Sequence, residues 1–459
     1  MAVVFTATFL KNMYTVPTFC GIIIKNTKKV VSMKQNKKIV SDSIIIGAAL
    51  FAMFFGAGNM IFPPYLGLES GEQWLSGFLG YYVADIGLAI LTIIAQINHN
   101  SFDNVLQPLG KRVANILMFA IVMCLGPLIS IPRTCATTFE LSVSPLLPRA
   151  DVIAFSIIFF AVTLFLSLNE SRVVDVVGKV LTPVLILGLL FLIVKGVLSP
   201  ISNLLDVKKI MSPIGSGIKA GYQSMDVLGA TVFGVLVINS TLQRGHTDLK
   251  SKRAVTLGAS IIAGLCLFVI YLGLTYLGAT ASTFFDMHTS RADLLIGIIG
   301  ILLPGKIGLA FFGVIAGLAC LTTSIALTSS SAKYLQKLFS RRLSYKAIVT
   351  GICIFSAVVS SLGVERIVAL ASPILTVIYP PVLVVVIMSF FHKYLTPLSY
   401  RLAVLVAGLY GIADAFAGYG IRFFLMDYLP FDSMGMGWIL PSTVLMLLGL
   451  LQKVRKNSK

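Results

Sequence analysis

The chain has 459 residues, of which 57% are hydrophobic and only 12% charged, and its mean hydropathy is +0.94. So little charge cannot clothe a water-facing surface of this size, which excludes an ordinary soluble protein. The net charge of +18 does not point to nucleic acid, because Lys and Arg sit in short clusters between apolar runs, where they act as topology signals.

The first 32 residues hold an apolar stretch, 16–24, that is too short to cross a bilayer. Neither a basic n-region nor a small-residue cleavage site frames it as a signal peptide. Met33 is followed by KQNKK and the first long run, so Met33 reads as a start of translation with 1–32 upstream of it. Apolar runs then follow at about 42–66, 76–98, 113–139, 152–168, 173–196, 217–242, 254–279, 305–332, 345–362, 367–391, 400–420 and 437–452. Runs of about 20 residues match a ~30 Å hydrocarbon core, whereas a barrel would alternate over ~10-residue segments. The expectation is an all-α polytopic membrane protein with about 12 transmembrane helices, short loops and no inserted soluble domain.

Orientation follows from the basic residues. With the N-terminus inside, the inner segments carry 26 Lys and Arg, the outer segments nine, and Arg133 lies within a span. Both termini are therefore expected on the cytoplasmic side. The six cysteines (Cys20, Cys124, Cys135, Cys266, Cys320, Cys353) form no CxxC pair and read as small buried hydrophobes. The four histidines lie near span ends or in loops with no metal-ligand spacing, and no chemistry is assigned to them.

The first span reads FFGAGNMIFPP over 54–64. Gly and Pro are the poorest helix formers, and Asn59 brings an amide into hydrocarbon. The sixth run is equally polar: in GIKAGYQSMDVLGATVFGVLVINSTL, Gln223, Ser224 and Asp226 sit mid-span among Gly221, Gly229 and Gly234. Spans one and six are five apart, so the two halves insert with opposite orientation. Interrupted helices at matching places of inverted halves point to a transporter binding site. Unwound backbone in lipid costs several kcal/mol per unsatisfied group, so such a break persists where it lines a cavity or holds a ligand. The half-helix beginning at Gly56–Asn59 offers N–H donors and a positive dipole end to an anion. The half-helix ending around Ala52–Phe55 offers carbonyls to a hard cation. In the eighth run, AGLACLTTSIALTSSSAKY, the adjacent Thr322 and Thr323 point in different directions around the helix, and one or both can face span one. The chain divides accordingly into 1–41, a cytoplasmic segment; 42–196, a first five-helix repeat; 197–391, a second, inverted; and 392–459, the last two helices and a cytoplasmic tail.

FFGAGNMIFPPYLGLESG, GYQSMDVLGATVFG and, in the tenth run, ASPILTVIYPPVLVVVI resemble the branched-chain amino acid:cation symporter family of bacteria over nearly all of 33–456. That family belongs to the amino acid–polyamine–organocation superfamily. The resemblance implies a LeuT-type fold of two inverted five-helix repeats with helices 1 and 6 broken, in the bacterial cytoplasmic membrane. It implies that the backbone N–H groups of Ala57 and Gly58, next to Gly56, hold the substrate carboxylate, while Asn59 braces the break or meets an ion. Gln223, Met225 and Asp226 join them as substrate-binding residues. It also implies a Na⁺ site made of the carbonyls of Ala52, Phe55 and Ala319 and the hydroxyls of Thr322 and Thr323. The expected function is symport of leucine, isoleucine and valine with Na⁺ by alternating access. The alternatives are H⁺ coupling or a different amino acid or amine.

Asp226 departs from the LeuT-type pattern, where many helices are apolar at this place. A mid-span aspartate costs roughly 2.5–3.5 kcal/mol on insertion scales. It can bind the substrate ammonium, carry a proton or hydrogen-bond the broken backbone. Asp85, Asp414 and Arg133 are also intramembrane by these boundaries. Asp226 is expected to be the only titratable group at either break. The chain lacks HExxH and GxSxG, which argues against an enzyme, and GxxxxGK[ST], so no ATP-binding subunit is implied. A channel usually gathers several subunits around rings of carbonyls or like charges, which twelve spans with two breaks fit poorly.

Overall fold

A computed structural model of the chain describes residues 33–168, 182–204, 212–339 and 342–457. The segment 1–32, Cys20, and the start of the fifth apolar run lie outside the described residues. All regular structure among the described residues is helical. The other eleven runs, and the remainder of the fifth, fall on helices. By length and composition, seven helical stretches suffice to cross a membrane, and four shorter apolar helices accompany them.

Helix α1 (Met33–Phe54) stops before Gly56, which is extended at φ −124°, ψ −159°, and α2 (Ala57–Ser70) starts again at once. Pro63 and Pro64 lie inside α2; each lacks an N–H and so frees a carbonyl one turn earlier. The second span runs as α3 (Trp74–Tyr82), a π-turn (Val83–Gly87) that carries Asp85, and α4 (Leu88–His99). The third also breaks, which was not expected. Between α5 (Lys111–Met123) and α6 (Ser130–Thr138), Gly126 leaves helical geometry at φ −88°, ψ −122°, just before Pro127. This kink re-aims the face of α6 that holds Arg133.

The chain continues through α7 (Val152–Ser167), α8 (Thr182–Leu198), α9 (Pro213–Ser224), α10 (Asp226–Gln243), α11 (Leu249–Thr280) and the short α12 (Arg291–Leu302). It closes with α13 (Lys306–Leu338), α14 (Tyr345–Ser360), α15 (Val364–Ser389), α16 (Pro397–Ala417) and α17 (Ile439–Asn457). Several helices that start in loops have side-chain caps, Ser212 on α9, Asp248 on α11, Ser290 on α12, Ser344 on α14 and Thr396 on α16, whereas α5, α13 and α15 start behind Gly110, Gly305 and Gly363 without one. The second halves of the broken helices, α2 and α10, start with none. Their first N–H groups lack the usual side-chain acceptor.

Long α11 packs along both α1 and α2 and so spans the break between them. The contact with α2 is backbone against backbone, since a Cβ on Gly278 would overlap the Pro64 carbonyl and one on Gly67 the Thr275 carbonyl. Helix α9 lies on α3, α10 on α4 and α13 on α6. Phe51, Phe55, Tyr81, Tyr271 and Tyr379 are among the largest fully buried side chains, while Ile116, Phe165, Leu187 and Val358 point outward, as lipid-facing residues should.

Candidate substrate and cation site

The two predicted breaks meet. One residue, Met225, separates α9 from α10, and it sits in the left-handed region at φ +72°. A non-glycine residue holds that conformation only where its surroundings enforce it. Asn59 in the first turn of α2 donates from Nδ2 to Oδ2 of Asp226, the first residue of α10, at 2.7 Å. The Tyr271 hydroxyl, from α11, lies against the same Asn59 amide and donates to Asp226 Oδ2 at 3.4 Å. A carboxylate at a helix N-terminus also answers the dipole.

A cavity lies beside this junction. Gly56, Ala57, Gly58, Asn59, Met225 and Asp226 all line it. Phe54, Leu125, Phe233 and Leu327 supply apolar walls. Gln223 is turned away: its amide donates to Ser372 on α15 at 3.3 Å. Only its carbonyl faces the junction.

Asp226 is not the only titratable group there, and the expectation that it would be is corrected. Arg133, 2% exposed, donates from Nη1 to the Gln223 carbonyl at 2.7 Å and from Nη2 to the Ser224 carbonyl at 3.1 Å. It thereby takes up carbonyls that the end of α9 leaves without helical partners. Asp85, fully buried in the π-turn, accepts from the Ser224 hydroxyl. Both are contributed by spans that the sequence did not connect with the breaks. A charge alone inside an apolar run was the available signal for each.

The five oxygens expected around a cation are neighbours. The Thr322 hydroxyl donates to the Ala319 carbonyl at 2.9 Å and lies 3.3 Å from that of Ala52. The Thr323 hydroxyl stands 3.4 Å from the carbonyls of Ala52 and Phe55 and 3.3 Å from that of Met53. These separations exceed the usual ~2.7–2.8 Å of an O–H···O bond. One hydroxyl is shared by three carbonyls at long range at the end of α1. Among the described residues no group of three His, Cys, Asp or Glu side chains could hold a metal, so any cation here would meet neutral oxygens, as Na⁺ tolerates better than a divalent ion does.

At the other end of α1, Asp42 pairs with Arg244 at 2.9 Å and with His246 at 2.8 Å. His246, to which no chemistry was assigned, is 4% exposed and ties the turn after α10 to α1.

The sequence profile of the family described as "Branched-chain amino acid transport protein" matches residues 39–456. The chain belongs to this family. Members of this family are transport proteins, not enzymes. The chain is 36% identical over 424 residues to the branched-chain amino acid permease BraB of Bacillus subtilis, covering 89% of this chain and 95% of that one. It is 32% identical over 422 residues to the permease BrnQ of Salmonella typhimurium, with the same coverage. Among solved structures, a substrate-bound, outward-open Na⁺-coupled sialic acid symporter superposes with a TM-score of 0.59 at 14% identity, covering 90% of this chain and 89% of that one. Inward-facing Mhp1 superposes with a TM-score of 0.54 at 15% identity, covering 90% and 91%. At such identities the likeness is one of fold, and it gives this member of the family the LeuT-type architecture.

Proposed function

We propose that the protein is a secondary symporter that imports leucine, isoleucine and valine across the bacterial cytoplasmic membrane, coupled to Na⁺, with both termini inside. The observation that carries this reading is the junction of two broken helices. Uncapped N–H groups of α2 and carbonyls at the end of α1 adjoin one cavity with apolar walls. The N–H groups of Ala57 and Gly58 suit a carboxylate. Phe54, Leu125, Phe233 and Leu327 offer apolar walls to a branched aliphatic side chain, and the cavity, about 20 Å³ here, has to widen to admit it. The names of the relatives, all branched-chain amino acid permeases, support the same substrates.

Na⁺ would bind at the oxygens of Ala52, Phe55, Ala319, Thr322 and Thr323. Its bond to the Ala52 and Phe55 carbonyls would hold the end of α1 against α13, and its loss would free α1 to swing. In this way ion occupancy biases one of two arrangements of the same fold. H⁺ coupling is the second reading. It draws on the buried carboxylates Asp85 and Asp226, both beside the junction.

The deciding experiment is radiolabelled uptake in proteoliposomes with Na⁺ and pH gradients imposed separately. Concentrative uptake driven by a Na⁺ gradient at equal pH is expected. Full uptake driven by a pH gradient in Na⁺-free buffer would establish the second reading instead.

A further inference from the structure

Arg133 does more than hold α9. A guanidinium carries five N–H donors, and the carbonyls of Gln223 and Ser224 engage two of them. Its Nε has no hydrogen-bond partner although it is buried. A buried donor left unpaired is costly, so an acceptor is missing. The side chain lines the cavity. A Cβ on Gly58 would stand 2.7 Å from Nη2, which puts the guanidinium directly against the first turn of α2.

Two positive ends therefore face each other across the cavity wall: the guanidinium and the N-terminus of α2. Asp226 and Asp85 are within electrostatic reach of the guanidinium, but neither is hydrogen-bonded to it. Asp226 Oδ2 is taken by Asn59 and Tyr271 and Asp85 Oδ1 by Ser224, while Asp85 Oδ2 is buried without a partner. Among the described residues Arg133 forms no ion pair. The unpaired Nε and the uncapped N–H groups of α2 together leave donors facing one cavity that an anionic ligand would satisfy.

We propose that Arg133 binds one oxygen of the substrate's carboxylate while the N–H groups of Ala57 and Gly58 bind the other. This rests on the reading of the cavity as an amino acid site. Arginine suits the position because its planar fork can keep two donors on the α9 carbonyls while another edge meets the ligand; a lysine ammonium offers no such fixed geometry. A bound carboxylate then joins α2, α6 and α9 through one group. The substrate class is an α-amino acid with a free carboxylate, as opposed to an amine or an amide.

The test compares binding of leucine and of leucinamide, which has the same shape without the carboxylate charge, to the purified full-length protein. The variants are Arg133→Gln and Arg133→Lys. The wild type should prefer leucine by at least about 30-fold, the scale of a buried charged hydrogen bond. Arg133→Gln should reduce that preference to a few-fold through lost leucine affinity, with Arg133→Lys in between. The preference is a ratio read on folded protein, so a lower yield does not move it. If Arg133→Gln yields no folded protein, Arg133→Lys decides in the same way. A wild-type preference in the variant overturns the proposal. An equal loss of affinity for both ligands also overturns it, and assigns Arg133 to holding α9 alone. Failure of the wild type to bind leucine at all is a different result, one that removes the amino acid reading itself.

Discussion

Asn59 hydrogen-bonds Asp226 at 2.7 Å across 167 residues of sequence, so the first turns of α2 and α10 are tied to each other. The bond joins the two half-helices that begin inside the membrane. Asn59→Ala would leave the Asp226 carboxylate short of its closest donor, at about 1–3 kcal/mol. Thermal stability in detergent should fall, and uptake with it. Asp226→Asn is milder, since an amide oxygen can still accept from Asn59. With Na⁺ as the coupling ion this variant retains part of its Na⁺-dependent uptake; loss of all uptake, at normal membrane abundance, would mean that the Asp226 charge itself is used in transport.

Gly58→Leu should leave the protein in the membrane but abolish substrate binding. A side chain there meets Arg133 Nη2 at 2.7 Å and the Phe62 ring at 3.3 Å, and it covers the N–H donors of α2. Calorimetry showing unchanged leucine affinity would refute the carboxylate site.

Thr322→Ala combined with Thr323→Ala should raise the Na⁺ concentration for half-maximal uptake by about tenfold or more, the effect of losing roughly 1.4 kcal/mol of ion binding. The hydroxyls touch the Ala52, Met53 and Phe55 carbonyls, and Thr323 also lines the cavity beside Gly56, whereas Thr322 does not. Thr322→Ala alone should therefore raise the Na⁺ requirement while changing substrate affinity at saturating Na⁺ little. An unaltered Na⁺ requirement would move the coupling ion elsewhere.

Phe62 separates two arginines. The Arg133 guanidinium carbon lies 5.6 Å from its ring centre and that of Arg291 lies 5.5 Å away. Arg291 also stacks on Tyr65 at 4.6 Å and pairs with Glu365 on α15. With the N-terminus inside, as proposed, Arg291 lies on the outer side, and Phe62 stands between it and Arg133 beside the cavity. Phe62→Ala removes both cation–π contacts, together about 1–2 kcal/mol. Bound substrate should leave faster by about five- to thirtyfold, measured by chase of radiolabelled leucine. Phe62→Tyr, which keeps the ring, should not show this.

Asp42→Asn cuts the ion pair of α1 with Arg244 and alters its hydrogen bond with His246. These are partly shielded, so the loss lies between exposed and fully buried pairs, about 1–3 kcal/mol. The inner end of α1 should detach more often. In a cysteine-free background, Ile46→Cys, buried at 1% exposure, should then react faster with a thiol reagent supplied from the cytoplasmic side. Equal rates with and without Asp42→Asn would show that this cluster does not latch α1.

Hydropathy and helix propensity are properties of neighbouring residues, and what they govern could be read directly. The apolar runs became helices, and the chain does come apart at FFGAGN and at SMD because glycines and polar side chains cannot hold a lipid-embedded helix there. The threonine pair was visible as an unusual density of hydroxyls. The third break, at CLGPL, carries the same Gly and Pro signal, with Ser130 and Arg133 following it, and the sequence reading did not connect them. What only the tertiary structure decided is which distant groups converge. Arg133 and Asp85 reach the junction from α6 and the π-turn after α3, 90 and 139 residues from their partners. Gln223, one residue before Ser224, turns its side chain to Ser372 and leaves the cavity to its neighbours. A charge within an apolar run announces only that it must be satisfied; the partner that satisfies it is chosen by how the helices pack, through glycine contacts such as Gly67 and Gly278 that let backbones touch.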